Sequence, residues 1–209
     1  MKSFSKENLL QGDASFRRDF VNALSGYKSL NLIGTISKAN ETNLAPFSQV
    51  FHIGASPPLV GVLFRPHTVE RHTLQNILDT AEFTLNHVAK SFYEKAHQTA
   101  ARYEVSEFEA VGLEVLNRPE CTAPFVKISP LQIACKLISS QTLDVNDTVL
   151  IIASIEHVWV VDGGLREDGS LDLEKMETVT VNGLDEYYIG KRLGKLSYPK
   201  PGKEVEKLL

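Results

Sequence analysis

Cysteine is scarce in this 209-residue chain: Cys121 and Cys135 are the only two. They form no Cys-x-x-Cys unit, and one pair cannot staple a chain of this length, which excludes a disulfide framework. Both are read as reduced thiols that pack like small hydrophobes. Basic runs are missing as well. Lys and Arg number 22 against 26 Asp and Glu, a net charge of −4 with no block of one sign, so nucleic acid and anionic membrane are not expected as partners. No stretch is long and uncharged enough to span a bilayer, and "MKSFSKENLLQGDASF" lacks the apolar run of a signal peptide. The expectation is a cytoplasmic chain with no membrane contact, in which the sequons at Asn40 and Asn146 carry no weight. The six histidines include no pair at the spacing of a zinc helix, and no metal is expected.

Motifs of the common enzyme classes are absent too. There is no G-x-G-x-x-G after a strand, no P-loop and no G-x-S-x-G elbow, so the usual markers of Rossmann binding, phosphoryl transfer and α/β-hydrolase chemistry are lacking. No carboxylate pair stands out as an acid/base couple, and Gly163-Gly164 in "VDGGLREDG" reads as a turn.

What is present is a chain that alternates strand and turn chemistry. With 43% hydrophobic residues it can fill one substantial core, and a single domain over residues 1–209 is expected. Asp13 caps an amphipathic helix in "ASFRRDFVNAL", with Phe16, Phe20 and Leu24 on one face. "SLNLIGTIS" and "PPLVGVLF" read as strands, "TVERHTLQNILDTA" as a helix with Val69, Leu74, Ile77 and Leu78 inward, and "EFTLNHV" as a short strand. "SFYEKAHQTAARY" and "VSEFEAV" read as short helices, the second closed by Gly112. The second half is rich in strands: "LEVLNR", "PFVKIS", "LQIACKLISSQTL" and "DTVLIIASIEHVWVVDG". These signals favour a mainly antiparallel β-barrel with peripheral helices, since closing a sheet removes its edges.

Two stretches stand out as candidate sites. "TNLAPFS", Thr42 to Ser48, reads as a polar loop too long for a simple reversal of the chain. After the next strand, Arg65 and the helix entry with Thr68, Arg71, His72 and Thr73 combine guanidinium groups, hydroxyls and helix N–H groups, an arrangement that suits one phosphate. The same residues would equally make a capped surface helix with a solvated charged face.

The order of these stretches resembles the flavin reductase-like family of FMN-binding split barrels: Gly34-Thr35, "TNLAPFS", Pro57-Pro58 and a strand, "RHTLQNI", "EFTLNHV", "SEFEAVGLEV" and "FVKISPLQIACKLI". The likeness runs over roughly residues 20 to 190 in the family's order. It implies a split antiparallel β-barrel that binds FMN, with FAD as an alternative. Asn43, Leu44, Ala45 and Pro46 would lie along the flavin ring, with Ser48 near the reacting end as the one residue assigned to catalysis and Thr35 and Ser37 as second choices for ring contact. Arg65, Arg71, His72 and Thr73 would hold the phosphate. The resemblance further implies an NAD(P)H-dependent flavin reductase or flavin-linked oxidoreductase, or else a non-catalytic FMN electron carrier. Electrons would pass to an acceptor protein or small molecule. A homodimer with the flavin near the subunit interface is implied as well, with the N-terminal segment and a C-terminal extension from about residue 187 crossing between chains. His72-Thr73 stands where the family commonly has Asp-Thr, and Ala134 replaces the Glu usually found before Cys135.

Overall fold

The computed structural model describes residues 1–66 and 71–208. Two short helices open the chain, α1 (Lys6–Gln11) and α2 (Ala14–Ala23). Ser5 Oγ accepts the Asn8 N–H, and the Asp13 carboxylate accepts those of Ser15 and Phe16, so each helix starts on a side-chain cap. Neither helix buries a residue. Phe4, Phe16 and Phe20 pack instead on one another, with ring centroids 5.0–5.7 Å apart.

Five strands follow: β1 (Lys28–Ser29), β2 (Asn31–Ile36), β3 (Thr42–Phe47), β4 (Val50–Ala55) and β5 (Pro58–Phe64). Next come α3 (His72–Thr80), β6 (Glu82–His87), a 3-10 turn at Lys90–Phe92, α4 (Tyr93–Gln98) and α5 (Glu107–Val111). The second half supplies β7 (Val115–Arg118), β8 (Cys121–Val126), β9 (Leu131–Leu143), β10 (Thr148–Val160), β11 (Val179–Asn182) and β12 (Glu186–Ile189). A seven-stranded antiparallel sheet in the order β3-β2-β6-β9-β10-β5-β4 forms the body. The mainly β, split-barrel architecture expected from the sequence is the one found.

Alternation along the strands divides the core in two. Inward-facing Ile33, Phe83, Leu85, Cys135, Ile151, Val62 and Phe64 surround Leu74 and Ile77, so α3 fills the concave side. On the other face the β7–β8 hairpin, with Phe125, and helices α4 and α5 cover Leu32, Leu44 and Ala134. Close approach there depends on Gly34: a Cβ would fall inside the envelope of the Pro124 carbonyl oxygen and lie 2.6 Å from Thr84 Oγ1.

"TNLAPFS" is not a loop. Thr42 to Phe47 form strand β3, paired with β2 from Ile36↔Thr42 to Asn31↔Phe47, and the chain then turns through Ser48 and Gln49 into β4. Asn43 and Pro46 are poor strand formers, but an edge strand tolerates Pro where its N–H would point away from the ladder. Pro46 sits at such a position. Leu44, two residues earlier, sends its N–H out of the sheet to Glu107 Oε2 at 2.9 Å. Thr42, Leu44 and Pro46 therefore aim their main-chain groups away from β2.

The second correction concerns the C-terminus. Tyr187 and Tyr188 belong to β12, which pairs with β11 in a three-stranded sheet with β1. The segment that leaves the sheet thus starts at Gly190 rather than near residue 187. Tyr187 Oη lies 2.6 Å from His97 Nδ1, which ties this sheet to α4. Val69 and Thr68, placed in the helix by the sequence pattern, lie outside the described residues. Among the described residues, no helix is long and apolar enough to cross a membrane.

Candidate functional site

Strand β3 and helix α3 meet through buried polar side chains. Asn43 Nδ2 donates to Thr35 Oγ1 at 3.2 Å and to Thr73 Oγ1 at 2.9 Å, and Asn76 Nδ2 donates to Thr35 Oγ1 at 3.1 Å. All four residues are buried, Thr35 completely. Alternation puts Thr35 and Asn43 on the concave face of β2 and β3, opposite each other in register. Helical spacing puts Thr73 and Asn76 on the same side of α3 as Leu74 and Ile77. Three residues singled out from the sequence are thereby brought together. Asn76 was missed; its signal was its place three residues after Thr73.

The N-cap residue of α3 is Arg71, and among the described residues no side chain caps the helix; the positive end of the helix dipole lies here. Arg71 Nη2 donates to the Pro66 carbonyl at 3.3 Å, while its Nε is buried with no hydrogen-bond partner. A buried guanidinium N–H without an acceptor is costly. Arg65 is exposed and reaches Asn22 Oδ1 on α2 at 3.5 Å. His72, the first residue of α3, is exposed.

Along β3 the candidates diverge. The Leu44 side chain is in the core and its N–H is taken by Glu107, while Thr42 Oγ1 lies 2.9 Å from Ser106 Oγ, so α5 already covers this part of the edge. Ser37 Oγ accepts the N–H groups of Ala39 and Glu41 and closes the β2–β3 turn. The open part is Ala45 to Ser48, all half-buried. Phe47 packs its ring against Phe64, with centroids 4.8 Å apart. Ser48 Oγ makes no hydrogen bond with any described residue.

Two cavities lie elsewhere. One of about 500 Å³ is lined by Asp168, Arg192, Lys195, Lys207 and Leu208, and one of about 290 Å³ lies between α2 and the β11–β12 turn. Neither includes a candidate residue. No group of His, Cys, Asp and Glu among the described residues could hold a metal. Burial pushes the Cys121 thiol up to about 11 and the Cys135 thiol higher still, so neither is a nucleophile at neutral pH.

Residues 27–179 match the flavin reductase like domain. This chain belongs to the flavin reductase-like family. It is 45% identical to a candidate flavin reductase with split barrel domain from Shewanella frigidimarina NCIMB 400, covering 95% of this chain and 100% of that one with a TM-score of 0.91. Flavoredoxin of Desulfovibrio vulgaris (Miyazaki F) is 25% identical, with 81% and 91% of the two chains covered and a TM-score of 0.71. An uncharacterized protein of Aquifex aeolicus strain VF5 is 30% identical over 166 residues, 78% of this chain and 83% of that one.

The residues present fit the cofactor that a flavin reductase-like fold implies. A flavin mononucleotide brings a phosphate, an apolar ring and a polar ring edge. The Arg71 Nε, with no partner among the described residues, suits the first, Pro46 the second, and the Ser48 hydroxyl the third.

Proposed function

We propose that this chain binds FMN and acts as an NAD(P)H-dependent flavin reductase or flavin-linked oxidoreductase that passes electrons to a second acceptor, protein or small molecule. One observation carries the reading: a buried guanidinium N–H with no partner among the described residues stands at the start of α3, and that helix is bonded to β3, the strand that leads into Ser48. The flavin, when bound, supplies the hydride-accepting ring; the chain supplies position and charge. Arg71 and Arg65 would donate charge-assisted hydrogen bonds to the phosphate, at the positive end of the α3 dipole. Pro46 gives an apolar surface, and Ser48 Oγ can donate or accept at the polar edge of the ring. Leu44 and Asn43 act from behind, since their polar groups are already bonded within the chain.

A homodimer with the flavin near the subunit interface belongs to the same proposal. Helices α1 and α2 bury no residue, and Phe51 and Ile53 on strand β4 are each 39% exposed. These surfaces suit a second copy.

The test is spectroscopic. Purified protein is expected to be yellow, and NADH or NADPH added without oxygen should bleach the flavin band. A colourless chain that gains no thermal stability from added FMN refutes the binding, because a ligand of the native state must stabilise it. Yellow protein that neither nucleotide bleaches refutes the reductase half. That result would favour the FMN electron carrier, the second reading, to which the likeness to a flavoredoxin lends weight.

A further inference from the structure

The Thr35–Asn43–Thr73–Asn76 cluster does work that packing alone would not require. Leu74 and Ile77 already fix α3 to the sheet by apolar contact. Four polar side chains are nevertheless buried beside them, each at a desolvation cost that a hydrogen bond offsets only at one distance and direction. Apolar contacts let a helix slide or rotate slightly. Donors from Asn43 and Asn76 converging on the single oxygen of Thr35 do not, and Asn43 reaches Thr73 with its second N–H.

The structure assigns Thr35, Asn43 and Asn76 as positioning residues that hold the start of α3 at a fixed place along β3, and so set how well one ligand can engage Arg71 and Ser48 together. The inference rests on the FMN reading above. Thr35 is completely buried and touches no ligand-accessible surface, so its effect has to pass through Asn43 and Asn76 to Thr73 and the neighbouring Arg71. Loss of the Thr35 hydroxyl leaves two amide donors without their acceptor. The helix start then shifts relative to the strand, and the phosphate end of the site suffers more than the ring end.

Two substitutions and two ligands test this on the full-length protein. Thr35→Val keeps the shape and removes the oxygen; Thr35→Ser keeps the oxygen. Dissociation constants for FMN and for riboflavin, which lacks the phosphate, are measured by quenching of flavin fluorescence. Thr35→Val is expected to weaken FMN about tenfold while riboflavin changes less than about twofold, the size of one lost buried hydrogen bond. Thr35→Ser should restore the wild-type ratio. Equal weakening of both ligands, or an unchanged ratio in Thr35→Val, overturns the inference. A wild-type protein that binds FMN no better than riboflavin overturns the phosphate reading itself, and the inference with it. If Thr35→Val does not fold, Asn76→Ala, which removes one donor and leaves the Asn43–Thr73 bond in place, is read against the same criteria.

Discussion

Replacing Gly34 by Ala tests how tightly the β7–β8 hairpin is seated on the sheet. The added methyl meets the Pro124 carbonyl, which is backbone, and Thr84 Oγ1 at 2.6 Å. Ordinary contacts for such atoms are about 3.5 Å, so β8 must retreat by on the order of 1 Å. The bond that Thr84 Oγ1 donates to the Pro124 carbonyl, 2.7 Å long and buried, lies directly in the way, and the Val126 N–H bond to Asn86 Oδ1 is next along the same strand. Overpacking costs about 1–3 kcal/mol, and the stretched buried hydrogen bond about 1–3 kcal/mol more. Ala restricts the unfolded chain and returns about 0.5–1 kcal/mol. A net loss of about 3 kcal/mol is expected, or roughly 6–12 °C in Tm for a chain of this size. Urea unfolding followed by far-UV circular dichroism measures it. A variant within about 0.5 kcal/mol of wild type would show that the hairpin is free to move outward, and the close seating described above would be wrong.

Two further outcomes follow from burial. Desolvation holds the His87 imidazole down to about 4 from 6.5. Between those values the unfolded chain binds a proton that the folded chain refuses, so stability is complete above about pH 6.5 and falls as pH drops toward 4, by about 2–3 kcal/mol for this half-buried ring. His87→Leu should flatten that part of a stability–pH curve; an unchanged slope would place the titration elsewhere. Cys121 and Cys135, 6% and 1% exposed, should ignore a thiol reagent such as DTNB in the native protein and both react after unfolding. Rapid labelling of either thiol in the native state would contradict the burial.

Much of the fold was legible where local and long-range signals agree. Asp13 caps α2 as its position suggests, Gly112 ends α5 at a φ of 63°, and the long apolar runs became β9 and β10. Strand β3 was not legible. Asn43 and Pro46 argue against a strand locally, and what overrides them is tertiary: pairing with β2, the buried bonds of Asn43, and an edge position for Pro46. The pair β11–β12 carried a sign in Asn182-Gly183, with Gly183 at a φ of 62°, but strands this short look like tail. The candidate site divides in the same way. Residue types suited to a phosphate were visible in Arg65, Arg71 and Thr73. That Leu44 turns into the core, that Ser37 serves a turn and that Asn76 joins the cluster depended on register and helix phase, which only the folded chain fixes.

An open sheet invites other chains to add a strand, and a split barrel has edges to defend. On β3 the defence is built from two unlike parts: Pro46 has no N–H to offer, and the N–H of Leu44 is already held by Glu107. An incoming strand would find carbonyls there and no free donor at either position, so a ladder could not run regularly along the strand. The other edge, β4, is broken by an irregularity in register between His52 and Gly54. The chain can therefore keep an exposed face for a ligand or a second copy while refusing the edge-to-edge growth that leads to aggregates.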